Sequence, residues 1–268
     1  MFIKNVTIGA DIEVFLRDTA SGEIVSAEGI VKGTKERPFF FDSKDEFSGT
    51  SLDNVMAEFT VKPAQTPAEF FHAVEKSLGY VRSSVHNLGL APVAQPAARL
   101  SERFLKTKNA MLFGCDPDYN AWTEMMNPNP GERISDLRTC GGHIHIGYDA
   151  PSPYINVALI KAMDIFVGLP SLFQEPENER KTLYGKAGAF RHKKYGVEYR
   201  TLSNYYAGDQ KLTEWVFENT MAAVEYTNSG RIFNLEYDIC EDIVRAINTS
   251  DLGLAENLIQ RFSVKMAA

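Results

Sequence analysis

Four short segments of this chain put acids, imidazoles or a guanidinium on one side of an alternating pattern. Side chains of a β-strand point to opposite faces in turn. In Ile8–Leu16, the residues Ile8, Ala10, Ile12, Val14 and Leu16 take one face, and Asp11 and Glu13 the other. In Val55–Val61, the residues Val55, Ala57, Phe59 and Val61 share one face, while Glu58 lies opposite with Met56 and Thr60. In His143–Tyr148, Ile144, Ile146 and Tyr148 oppose His143 and His145, and in Val197–Leu202, Val197 and Tyr199 oppose Glu198 and Arg200. One such strand alone reads as a half-solvated antiparallel strand. Four in one sheet would gather Asp11, Glu13, Glu58, His143, His145, Glu198 and Arg200 on a single surface.

Carboxylates crowded on one surface repel unless cations neutralise them. Oxygen-rich ligand sets suit hard ions such as Mg²⁺ or Mn²⁺, and a histidine suits the latter. Residues i and i+2 of a strand stand about 6.5–7 Å apart, so Asp11 and Glu13 are spaced to serve two neighbouring ions. A basic group precedes the last strand: Arg180, Lys181, Lys186, Arg191, Lys193 and Lys194. Gly185 and Gly188 interrupt it and predict a flexible loop. Metal ions with Arg and Lys clamps are what phosphoryl transfer requires, because catalysis there is mainly positioning and charge neutralisation. Without the acidic strands, the basic run would read as a solvated face. Gly185-Lys186-Ala187-Gly188 lacks the spacing of a Walker loop.

The elements that must position these residues are mixed. Thr66 is a fitting N-cap and Pro67 a first helical residue. Val74, Leu78, Val81, Val85 and Leu88 then recur at helical spacing up to Gly89. His72 and His86 fall off that stripe and read as surface residues. A second helix opens at Ser152–Pro153 and runs through Leu159, Met163 and Phe166. A third follows Gly208 through Leu212, Val216 and Val224, and two shorter helical segments close the chain. The stretch 34–51 reads as a long hairpin or loop, and 114–131 as an irregular connection. Helices and strands without regular βαβ alternation predict an α+β fold, in one domain over 1–268, with a core of about 6–207 and a helical part of about 208–265.

Composition bounds the function. The 268 residues are 44% hydrophobic, enough for a sizeable core. The net charge of −7 speaks against a nucleic-acid backbone as obligate partner. Three widely spaced cysteines, Cys115, Cys140 and Cys240, argue against a disulfide framework and a thiolate zinc site, and suit a reducing compartment. No apolar run reaches the roughly 18–20 residues of a membrane span, and the first residues lack a signal-peptide pattern. The expectation is a cytoplasmic protein, in the host cytoplasm if phage-encoded, with no membrane partner.

The ordered motifs resemble a known family. Gly9-Ala10-Asp11-Ile12-Glu13 resembles the Gly-x-Glu-x-Glu opening of glutamate–cysteine ligases and related amidoligases. Cys140-Gly141-Gly142-His143-Ile144-His145 is similar to their Gly-x-His-Val-His strand. Val197-Glu198-Tyr199-Arg200 is similar to the Glu-Phe-Arg strand also found in glutamine synthetase. The longer strings 53–59, 184–191 and 195–204 resemble the phage-type carboxylate–amine ligases. The resemblance covers about 7–207 and implies a glutamine-synthetase-like curved antiparallel sheet, with helices on its outer face and a catalytic polar inner face. It implies ATP and Mg²⁺ (or Mn²⁺) as cofactors, and a small-molecule or peptide carboxylate and an amine as substrates. The carboxylate would attack the γ-phosphate to give an acyl phosphate, and the amine would then form the amide.

By the same resemblance, Asp11, Glu13, Glu58, His143 and Glu198 would hold metal. His145, Lys186, Arg180 and Arg191 would contact nucleotide phosphates. Glu198, Arg200 and Arg191 would serve catalysis, with Arg200 facing the γ-phosphate and the substrate carboxylate. Two departures stand out: Asp11 replaces the usual Glu, and the chain begins close to its first catalytic strand, so closure would come from its own loops or from an oligomer. Two rival readings stay open. One is a cupin-type metal enzyme using His143 and His145. The other is a non-catalytic virion or binding protein of the same fold.

Overall fold

The computed structural model describes residues 2–111, 118–128, 135–175 and 179–267. Cys115 and parts of the 114–131 connection lie outside them. Within these residues the main sheet has 12 strands, all paired antiparallel. Its centre is β1 (Thr7–Asp18), flanked by β6 (Met56–Ala64) and β12 (Gly142–Gly147). Beyond β6 lie β5 (Gly49–Asp53), β4 (Arg37–Phe40) and β3 (Gly33–Thr34). Beyond β12 lie β14 (Gly196–Tyr199), β13 (Ala189–Lys193), β9 (Tyr119–Asn120) and β10 (Met125–Met126). The strands β2 (Ile24–Val25) and β7 (Leu90–Val93) pair with the far end of β1, and β8 (Ala97–Arg99) with β11 (Leu137–Thr139) in a small separate ribbon. The four strands singled out from the sequence are thus consecutive neighbours: β14, β12, β1 and β6.

One face of this sheet is apolar because the alternation demands it. Ile8, Ala10, Ile12, Val14, Ala57, Phe59, Val61, Ile144, Ile146, Val197 and Tyr199 are all buried in the main core. Helices cover that face. Helix α1 (Pro67–His86) starts at a capping box between Thr66 and Glu69 and lays Phe70, Val74, Leu78, Val81 and Val85 inward. Leu88 was expected on this stripe but is exposed, because the helix ends at His86 and Gly89 turns the chain in the left-handed region. His72 and His86 are exposed, as expected. The short α2 (Lys108–Met111) lies off this layer, beside the β8–β11 ribbon, with Ala110 buried next to Ala98 and Leu100.

Helix α3 (Pro153–Met163) continues through a π-turn (Asp164–Gly168) into α4 (Leu169–Ser171). No apolar run was expected to reach the length of a membrane span, but Pro153–Ser171 does so by length and composition; it carries Lys161 and Asp164, and 83% of its apolar window is buried inside the fold, as in a core helix. Helices α5 (Gln210–Asn228), α6 (Tyr237–Thr249) and α7 (Leu252–Phe262) complete the layer. Mixed helix and antiparallel sheet make the fold α+β.

The other face is polar over β14, β12, β1 and β6, and closes at one end on a small apolar cluster of Phe15, Val55, Met56, Ala98, Leu100, Ala110 and Cys140. Val55 was expected on the helix-covered face of its strand. It sits instead in the two-residue turn between β5 and β6, beside Asn54 at φ 53°, and packs into this second cluster. The basic stretch 180–194, expected as a flexible loop, is built: a 3-10 turn covers Glu179–Thr182 and β13 covers Ala189–Lys193.

Candidate active site

Strand register decides which polar side chains meet. Asp11 lies opposite His143 on one side and Thr60 on the other. Glu13 lies opposite Glu58, and Glu58 opposite Ser51. His145 lies opposite Glu198, and Glu198 opposite Arg191. All ten expected site residues are described. Eight share this face; Arg180 lines the same pocket as Glu13, His143 and Arg200, and Lys186 precedes β13.

The surface divides into two arms. The first holds Glu13, Asp53 and Glu58, whose ligand atoms all lie within 4.8 Å of one another. Gly141 N–H donates to Glu13 Oε2 at 2.6 Å, and Ser51 Oγ donates to Glu58 Oε2 at 3.0 Å. Lys35, from the turn between β3 and β4, places its Nζ 2.8 Å from Asp53 Oδ2. Burial pushes the Glu13 carboxyl well above its ordinary range, and the charges of Asp53 and Glu58 push it further. Burial, with Asp11 and Asp53, raises Glu58 to about 7. Three oxygen-donor side chains within reach of one point fit a hard divalent cation.

The second arm holds Glu198 among cations. Lys193 Nζ is 2.7 Å from Glu198 Oε2, Arg191 Nη1 is 3.9 Å from Oε1, and Arg200 Nη1 is hydrogen-bonded to Oε1. Burial alone would raise Glu198, but Arg200 first, with His145 and Lys193, holds it well below the usual carboxylate range. Arg200 also donates from Nε to Asp118 Oδ2 at 3.2 Å and from Nη1 to His143 Nδ1 at 3.2 Å. Burial and then Arg200 keep His143 neutral, so its contact with Glu198 is not an ion pair. The ring of His143 lies over Gly141, where an added Cβ would come within 2.3 Å of Nε2; a Cβ on Gly142 would meet the Ser203 carbonyl at 2.4 Å. The glycine pair before His143 is therefore a packing requirement.

Asp11 bridges the arms. Its Oδ2 is 3.0 Å from His145 Nε2, while His145 Nδ1 meets the hydroxyl of Tyr195, whose ring stacks at 6.0 Å. Burial disfavours a charged His145, but Asp11 more than offsets it and the pKa is raised.

Several placements differ from the expected roles. Arg180 was expected at nucleotide phosphates, but it is buried and donates to the carbonyls of Thr201 at 2.7 Å and Arg200 at 3.1 Å. It braces the strand of Arg200. Lys181 is buried too, donating to the Ile247 carbonyl at the end of α6 at 2.7 Å. Lys186 is half-buried at the base of this region. Glu198, expected as a metal ligand, has its carboxylate ringed by Arg200, Lys193 and Arg191, and Arg200 also occupies the Nδ1 of His143. The two histidines of the cupin-type reading serve different partners, and His192 faces the helix layer, 3.0 Å from Asn156 Nδ2. No three-histidine site forms, since His72 and His86 are on the surface of α1.

Sequence reasoning missed Asp53, Lys35, Asp118 and Tyr195. Asp53 had a signal: the turn-forming Asn54 after it sets a hairpin register that returns Asp53 beside the face of Glu58. Lys35 and Asp118 lie in irregular stretches without periodicity.

Residues 131–241 match the family described as phage phiEco32-like COOH.NH2 ligase-type 2. The match supports a phage-type carboxylate–amine ligase. It spans β12 and β14, hence His143, His145, Glu198 and Arg200, but neither β1 nor β6. No curated protein matches the chain. The matched segment carries Arg191, Lys193, Glu198 and Arg200, while Asp118 and the acidic arm come from the part of the chain before it.

Proposed function

We propose that this protein is an ATP- and Mg²⁺-dependent ligase that joins a carboxylate to an amine through an acyl phosphate, on a glutamine-synthetase-like sheet forming one catalytic domain. The observation that carries the reading is the juxtaposition of an acid trio with a cationic cluster on one sheet face. Glu13, Asp53 and Glu58 would hold a Mg²⁺ or Mn²⁺ ion, with Asp11 at its edge; His143 and Glu198 could serve a further ion only if Arg200 moved off them. Bound there, the ion would offset the charge of two approaching anions. Arg200 has the planar fork to grip carboxylate and phosphate oxygens. His145, Arg191, Lys193 and Lys186 supply positive charge toward the nucleotide, and Glu198 and Asp118 hold Arg200 in place. In the reaction, a carboxylate oxygen attacks the γ-phosphorus and ADP leaves. The amine nitrogen then attacks the acyl carbon, phosphate leaves, and the nitrogen gives up a proton.

A screen of amino acids and short peptides with Mg-ATP tests this. The expected result is ADP release that requires both a carboxylate and an amine, with a condensation product lighter than its parents by one water in mass spectrometry. ADP release independent of any acceptor, or Fe²⁺-dependent oxygen consumption in its place, would contradict it.

A further inference from the structure

Arg200 depends on a residue on the opposite side of the sheet. Asp164, in the π-turn after α3, is fully buried. Its Oδ1 accepts the hydroxyl of Tyr199 at 2.7 Å, and its Oδ2 accepts the indole N–H of Trp122 at 2.7 Å. The Gly188 N–H also donates to it. The Thr201 hydroxyl lies 3.4 Å from Oδ1, with its proton better placed for the Lys186 carbonyl at 2.9 Å. Tyr199 and Thr201 are the two chain neighbours of Arg200. Gly188 leads into β13, which pairs with the strand of Arg200. Trp122 belongs to the segment that carries Asp118, the acceptor of Arg200 Nε. Room is left for the Tyr199 hydroxyl at Gly168, where a Cβ would come within 2.6 Å of it.

We propose that Asp164 is a positioning residue for Arg200, fixing from the helix side both the strand that carries the guanidinium and the segment that carries its partner Asp118. A buried carboxylate without a contacting guanidinium or ammonium is costly unless several donors converge on it. Asp164 has such donors from three separate segments. An asparagine of the same shape removes the charge on which the donors converge and puts an NH2 on one side: facing the indole it loses that bond, and facing Tyr199 it forces the hydroxyl to turn from donor to acceptor. The geometric claim stands on its own; its catalytic consequence rests on the ligase reading.

The test reads the two levels separately. The Arg200 Nε–H resonance, assigned by its loss in Arg200→Lys, is followed by hydrogen exchange in the parent protein, in Asp164→Asn and in Asn219→Ala. Asn219 bonds the Phe166 and Lys265 carbonyls within the helix layer and serves as a stability control. Asp164→Asn is expected to speed Arg200 Nε–H exchange about tenfold or more, with Asn219→Ala within about twofold of the parent. If Asp164→Asn fails to fold, Trp122→Phe removes one donor only, and a rise of about threefold is expected. A folded Asp164→Asn with parental exchange, an equal loosening in Asn219→Ala, or parental exchange in Trp122→Phe would overturn the proposal. Where the parent turns over ATP, Asp164→Asn should lower kcat about tenfold with KM for ATP within about threefold. A parent without turnover, with the exchange effect intact, sinks the ligase reading and leaves the positioning role standing.

Discussion

Glu58, half-buried, and Glu198, buried, lie on the same sheet face with two strands between them, yet their titrations move in opposite directions. Glu58 sits with Glu13 and Asp53 and is raised to about 7. Glu198 sits among Arg200, Lys193 and Arg191 and is held well below its ordinary value. Burial raises both; neighbours decide the outcome. Among the described residues the acidic arm therefore gathers three carboxylates beside Lys35 and suits a cation. The cationic arm gathers Arg200, Lys193 and Arg191 around Glu198, with Asp118 on Arg200, and suits an anion. The division places the proposed ion and phosphate on neighbouring parts of one surface.

The largest expected effect comes from breaking the cationic arm. Glu198→Gln takes a buried carboxylate from beside buried Arg200 and half-buried Lys193, and should destabilise the protein by about 3 kcal/mol, measured by urea unfolding. Glu58→Gln or Glu13→Gln removes a repelling carboxylate and should leave metal-free stability unchanged or higher. Equal losses in both arms would erase the distinction.

The pH dependence sharpens it. A carboxyl whose folded pKa is raised binds its proton more tightly in the folded state, so its contribution is present below the unfolded value and is lost as pH rises through the folded one. Glu58, from its ordinary 4.5 to about 7, and Asp164, from 3.8 to about 6, lie in this class. Metal-free stability should thus fall by roughly 1–3 kcal/mol between about pH 5 and about pH 8. Glu198 has the opposite sign: its contribution is present above the unfolded value and is lost as pH falls through the folded one. Glu58→Gln should flatten the alkaline limb and Glu198→Gln the acid limb of stability against pH, read by thermal melting. Saturating Mn²⁺ should also flatten the alkaline limb in the parent.

Smaller effects follow. Arg200→Lys keeps the charge but loses the fork, and should cut turnover about 10- to 100-fold with a stability change of about 1 kcal/mol. Lys35→Met removes a cation that neighbours the acid trio, and should tighten Mn²⁺ binding about threefold, seen by calorimetry. Weaker binding would make Lys35 a support of the site instead of a competitor for it.

Much of this division was legible in the sequence because a strand alternates with a fixed period. Asp11, Glu13, Glu58, His143, His145, Glu198 and Arg200 are on one face for that reason alone, and the apolar residues between them are in the core. What alternation cannot supply is register and partner. It could not say that Asp11 would meet His145 while Glu13 met Glu58 and Asp53, or that Arg200 would turn back onto Glu198. The burial of Arg180 and Lys181 was hidden too, since a basic run looks alike whether its side chains reach into solvent or cap carbonyls inside the fold. Val55 was misplaced because the turn that opens at Asn54 runs one residue further than the pattern implies, so the strand starts at Met56.

The division into arms is tested most directly by Mn²⁺ binding without nucleotide, followed by electron paramagnetic resonance in the parent, Glu58→Gln and Glu198→Gln. The parent should bind Mn²⁺, Glu58→Gln should weaken it at least about tenfold, and a folded Glu198→Gln should stay within about threefold of the parent. Loss of Mn²⁺ binding in Glu198→Gln with parental affinity in Glu58→Gln would contradict the account.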